Sequence, residues 1–154
     1  MYKRARKAAG LSIEEAAERI HIGTRTLTNY EGYHTLTPPD VALSMSGVYE
    51  QPEIYARYCS EVCPIGQIHA HLVEKKDLAS AVLGLIKEHN DVAIIRDKLI
   101  EIAADGIINP EEEALFKMIL AELDHLGQKI QTINLLAASI GSYKKKKPLK
   151  KAAR

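Results

Sequence analysis

Eight apolar residues, Phe116, Ile119, Leu123, Leu126, Ile130, Ile133, Ala137 and Ile140, recur at alternating steps of three and four. A repeat of that kind held for more than three heptads is the seam of a long helix. Upstream, Leu78, Val82, Leu85, Val92, Ile95, Leu99 and Ile102 form a comparable stripe, with one irregular spacing and His89 in its middle. Between the stripes, Asp105-Gly106 predicts a helix stop, Asn109 a cap and Pro110 a first helical position. Glu111, Glu112 and Glu113 complement the dipole of the helix they open. The expected object is two long helices, each about 40–50 Å by the rise per residue, folded back as an antiparallel, coiled-coil-like hairpin. Its expected core is Leu78, Val82, Leu85, Leu99, Phe116, Ile119, Leu123, Leu126, Ile130, Ile133 and Ile140. Leu115, Leu120, Leu135 and Leu136 fall off the seam. Two helices alone cannot cover them, so the hairpin needs the N-terminal half, a second copy, or both.

Composition supports helices throughout. With seven Tyr, one Phe and no Trp, a core must be built from Leu, Ile, Val and Ala. A chain of 154 residues makes one ordinary domain or two small ones, and 46% hydrophobic with 27% charged residues describes a globular protein. Two cysteines cannot form a disulfide framework. Lys3, Arg4, Arg6 and Lys7 look like the start of a signal peptide, but Glu14, Glu15 and Glu18 occupy the place of its apolar stretch. No apolar run approaches the ~18–20 residues of a membrane helix. The expected location is the cytoplasm, with reduced thiols and no membrane partner.

The N-terminal half reads as short helices. Tyr2 to Ala9 is one, stopped by Gly10. Ser12 with Glu15 three residues on is a capping box opening a helix through Ile20. His21-Ile22-Gly23 breaks the pattern, and a third helix runs from about Thr24 to Tyr33. Asp40 starts a fourth, and Pro52 a fifth that stops before Pro64.

The segment from Leu11 to Glu31, LSIEEAAERIHIGTRTLTNYE, resembles the helix-turn-helix of the Xre/Cro–lambda-repressor family. The resemblance extends over residues 2–50, through the preceding Arg-x-Arg-Lys-x-x-Gly and the following Pro-Asp helix start. It implies a five-helix domain that binds double-stranded DNA. In that frame Ala17 is small where two helices cross, Ile22 and Leu27 fill the corner, and Tyr30 packs the recognition helix onto the domain. The free face of that helix enters the major groove. The family's base-reading positions fall on Thr24, Arg25, Thr28 and Asn29, where Arg suits guanine and Asn adenine. Gly23 and Thr24 offer backbone N–H groups to phosphate. Arg4, Arg6 and Lys7 are expected on the phosphate backbone, which sets affinity rather than sequence. Two positions depart from the family: Ile13 stands where a Gln usually opens the first motif helix, and His21 replaces the turn glycine. His tolerates left-handed backbone better than most residues.

Cys59 and Cys63 lie one helical turn apart, with His69 and His71 beyond them. The set has the residue types of a zinc site, or of a redox pair, but not a common zinc spacing. A structural role as small buried hydrophobes is the favoured reading, so no metal and no cofactor are expected. Cys-x3-Cys-Pro-Ile-Gly also resembles a feature of clostridial and prophage Xre-type regulators. Glu101–Glu112 imitates half of a calcium loop, but helix capping explains each of its residues. His89 and His125 read as satisfied or partly exposed histidines rather than ligands. No catalytic arrangement is present, which argues against an enzyme.

Net charge is unevenly spread: +2 over residues 1–35, −8 over 36–142 and +7 over 143–154, within a total of +1. Lys144, Lys145, Lys146 and Lys147 head the basic tail, an electrostatic arm for phosphate or a solvated end. The expected architecture is all-α, with a helix-turn-helix domain at 1–64, a helical-hairpin dimerisation module at 65–142 and the tail at 143–154. The expected function is a homodimeric, nucleoid-associated transcriptional regulator, a repressor, on a near-palindromic operator. A protein-interaction adaptor built on the hairpin and a metal- or redox-responsive regulator through Cys59 and Cys63 are the alternatives.

Overall fold

Five short helices come first in the computed structural model, which describes residues 1–140: α1 (Tyr2–Ala8), α2 (Ile13–Ile20), α3 (Thr24–Glu31), α4 (Pro39–Val48) and α5 (Glu53–Glu61). A four-residue helix, α6 (Gly66–His69), follows, and then the long pair α7 (Leu78–Ala103) and α8 (Glu113–Ser139). The described residues are all-α. Lys144 to Lys147 lie outside them.

Local signals account for the early boundaries. Glu15 donates its backbone N–H to Ser12 Oγ at 3.1 Å, and Ser12 returns its own to Glu15 Oε2 at 2.8 Å. Both halves of the capping box are therefore present, and these hydrogen bonds hold the Glu15 carboxyl below its ordinary range. His21 takes the left-handed conformation expected of it, φ 63° and ψ 43°. Gly10 and Gly106, the two expected helix stops, are also left-handed.

Tyr2, Ala5, Ala16, Ala17, Ile20, Leu27, Met45, Tyr49 and Ile54 form the N-terminal core. Ala16 and Ala17 are buried where α2 meets its neighbours, and Leu27 is wholly enclosed. Tyr49 contributes its ring to this core, yet its buried hydroxyl has no hydrogen-bond partner among the described residues. Burial first, and the Glu31 charge second, push its pKa up to about 12. A folded-state value above the unfolded one means the contribution is complete below about pH 10 and fades as pH rises toward 12. Tyr49→Phe is expected to keep or slightly raise stability at pH 7, and to reduce the loss of stability between pH 10 and 12. Urea titrations across that range check both.

The hairpin forms, with a different register on α7. Its inward residues are Ala81, Leu85, Glu88, Val92, Ile95, Leu99 and Ile102, a strict alternation of four and three. The irregularity in the expected stripe vanishes because Glu88, not His89, occupies the seam; His89 is exposed. Val82 is displaced by Ala81 and is 38% exposed. Leu78 has the right phase but sits in the first turn, 65% exposed. On α8, Ile119 is buried, while Leu123, Leu126 and Ile133 are half-buried, as is Phe116. Ile130 and Ile140 are exposed, contrary to expectation: beyond Leu126 the covered face turns toward Thr132 and Leu135, which pack against other parts of the chain. The start of α8 also differs. Asn109 to Glu112 make a separate turn in which Glu112 Oε2 accepts the Asn109 N–H at 2.9 Å, and the helix proper begins at Glu113.

Residues 70–77 run as an extended strap between the two halves. The His71 N–H donates to Gln131 Oε1 at 3.0 Å, and Gln128 Nε2 donates to the Leu72 carbonyl at 3.0 Å. Val73 is buried with Ala56 and Leu135, against Tyr55, and Lys75 pairs with Glu53 at 2.9 Å. The strap thus binds both α8 and α5. This is why Leu135, off the seam in sequence, is buried.

Candidate nucleic-acid interface

Helix α3 is amphipathic in a way that leaves one side free. Leu27 and Glu31 are buried, Tyr30 is half-buried against the core, and Thr24, Arg25, Thr26 and Thr28 are exposed. Asn29 is half-buried, and its carbonyl accepts the His34 N–H at 2.9 Å. Thr28 Oγ1 donates to the Thr24 carbonyl at 2.8 Å, so its hydroxyl faces outward as an acceptor beside a methyl group. Arg25 makes no ion pair or hydrogen bond among the described residues. Gly23 is the N-cap residue and is exposed, with φ −71° and ψ 147°. No side chain caps this end, so the first-turn N–H groups of α3 point to solvent.

The far end of α3 is braced. Arg6 Nε and Nη2 reach Glu31 Oε1 and Oε2 at 2.7 and 3.0 Å, a two-pronged ion pair. Arg6 Nη1 also donates to the Leu11 carbonyl at 2.8 Å. Both side chains are buried, and the bond to Glu31 holds the guanidinium even more firmly protonated. Arg6 was expected on phosphate; this geometry corrects that expectation. With its donors spent inside the domain, it ties α1 to the end of α3. Its neighbours Arg4 and Lys7 are exposed on the other side of α1, as is Lys3. Nothing in the sequence distinguishes the inward arginine from the outward ones except its place in the apolar phase with Tyr2 and Ala5.

The first turn of α2 carries the acidic Glu14 and Glu15, and its capping box takes the N–H groups of Ser12 and Glu15. The two acidic side chains disfavour a phosphate there. The exposed polar contacts rest on α3 and α1.

Cys59 lies in the last turn of α5, and Cys63 belongs to the turn after it. Cys63 Sγ accepts the Gly66 N–H at 3.5 Å. A Cβ on Gly66 would lie 2.0 Å from the Cys59 carbonyl oxygen, so only glycine lets α6 reverse so tightly against α5. Burial, reinforced by Cys63, pushes the Cys59 thiol above its ordinary pKa, the opposite of an activated thiolate. His69 is exposed, and His71 points to Asp124 at 3.3 Å on α8. The four residues are not gathered into a metal-ligating group. A different grouping exists that the sequence reading missed: donor atoms of Glu88, Glu122 and His125 lie within 4.8 Å of one another across the hairpin. Its sequence trace is faint: a Glu-x-x-His one turn apart on α8 and an acid on the α7 seam.

No helix among the described residues is long and apolar enough to cross a membrane. No curated protein and no solved structure matches the chain. The helix-turn-helix family model matches residues 3–52, which span α1 to α4 and the turn after them. Residues 3–52 are a helix-turn-helix DNA-binding domain of the Xre and lambda-repressor type.

Proposed function

We propose that the chain is a sequence-specific transcriptional regulator, a repressor, that binds double-stranded DNA as a homodimer. The observation that carries this reading is the free face of α3, with an uncapped N-terminus at one end and a buried ion pair fixing the other. In the proposed complex Thr24, Arg25, Thr28 and Asn29 read base edges in the major groove. Gly23, Arg4 and Lys7 meet phosphates, and Lys144 to Lys147 add positive charge that attracts them. The helix-turn-helix unit, taken as residues 1–64, would be carried by the hairpin of 65–142 in the cytoplasm. Dimerisation is supported by apolar side chains the monomer leaves uncovered, among them Leu83, Ile86 and Ile94 on α7 and Met118 on α8. Of the off-seam leucines, Leu120 on α8 is exposed as well. An adaptor role for the same face would replace the second copy with another protein.

Selection of duplex oligonucleotides by the full chain tests the reading. The expected result is an enriched near-palindrome with half-sites about 10–10.5 bp, or a multiple of that, apart. Equal recovery of random duplexes would exclude sequence-specific binding, and an asymmetric single half-site would exclude the symmetric dimer.

A further inference from the structure

Glu88 occupies a position that the fold reserves for apolar side chains. It sits on the α7 seam between Leu85 and Val92 and is only 9% exposed. A carboxylate taken out of water needs a cation or several donors. The nearest lysine, Lys87, is a weak candidate: its Nζ is 3.6 Å from Glu88 Oε1 but 2.7 Å from Asp91 Oδ2. Across the hairpin, Glu88 instead faces Glu122 and His125, one turn apart on α8, with donor atoms of all three within 4.8 Å. A second carboxylate placed there adds repulsion unless something positive lies between.

We propose that Glu88, Glu122 and His125 bind a divalent transition-metal ion that bridges α7 and α8. The donor set is mixed, two carboxylate oxygens and one imidazole nitrogen, which suits Zn2+, Fe2+, Mn2+ or Co2+ better than Mg2+ or Ca2+. Tetrahedral zinc places neighbouring donors about 3.3 Å apart. His125 Nδ1 and Glu122 Oε2 are already 3.7 Å apart. Both are on the rim of the hairpin, with side chains 57% and 40% exposed, so they are free to close the remaining gap by rotation. Glu88 supplies the fixed donor, held by the packing of the seam. Three protein donors leave at least one position for water. The ion offsets the buried charge and pins the two long helices at one register.

The test is calorimetric titration of the full chain with ZnCl2, carried out in a Cys59→Ser/Cys63→Ser background to remove thiol donors. One Zn2+ per chain is expected, and a matching titration with MgCl2 should show no heat of binding. Glu88→Gln and His125→Ala should each weaken zinc binding at least about tenfold, the scale seen for residues that merely support a ligand. His69→Ala should leave it unchanged. His125 is exposed, so its removal keeps the fold, which circular dichroism verifies independently of metal. Binding that disappears with the two cysteines, or that survives both Glu88→Gln and His125→Ala unaltered, would overturn the proposal. So would no binding at all.

Discussion

Arg6→Ala is expected to destabilise the helix-turn-helix domain by about 3–5 kcal/mol, the usual cost of leaving one member of a buried ion pair alone. The loss would come from three places. Glu31 keeps its charge without either prong of its partner, the Leu11 carbonyl loses its donor, and α1 is no longer fastened to the end of α3. Replacing both partners by apolar residues of similar length, Arg6→Met with Glu31→Leu, should recover most of that loss, because no charge is then stranded. Urea unfolding of the three proteins measures this directly. The double variant also distinguishes a brace from a phosphate contact. If Arg6 is a brace, the double variant binds DNA with an unchanged salt slope, whereas Arg4→Ala should flatten the slope by about one contact. A slope that falls in the double variant would return Arg6 to the DNA.

The second large effect is expected at Arg25. Arg25→Ala should lose about 1–3 kcal/mol of base discrimination per half-site, or roughly 5–150-fold, and about twice the free energy over a symmetric pair of half-sites. Affinity for random duplex should change little. Stability should not change, since Arg25 is exposed and pairs with nothing among the described residues. Parallel titrations of a selected site and a random duplex give the ratio. If both affinities fall together, Arg25 is a phosphate contact and the readout lies elsewhere on α3.

The helices of the N-terminal half were legible because their signals are local. Ser12 and Glu15 cap α2 through neighbours three residues apart, and Gly10 and His21 end helices through their own backbone angles. The role of Arg6 was not legible. Its partner is 25 residues away, and a basic residue on the inward face looks the same in sequence as Arg4 or Lys7 beside it. The hairpin shows the same division. Helix existence followed from periodicity, but the phase of α7 did not, because an apolar stripe drawn through Val82 ignores that Ala81 and Glu88 can also face inward. Strict heptad counting puts Ile130 in the core, yet it is 47% exposed. The strap at 70–77 changes which face of α8 is covered, and no periodic signal in the sequence announces it. The free face of α3 was legible from the family pattern, whereas Glu88, Glu122 and His125 meet only once two helices are set side by side.

The strap has a mechanical consequence. A connection held to α8 at residues 71 and 72, buried at Val73 and paired with α5 at Lys75 is a packed joint between the two halves. Through it α8 is tied to α5, whose Ile54 shares the N-terminal core with Leu27 of α3. The hairpin and the helix that carries Arg25 are therefore joined through packed side chains as well as through the chain itself.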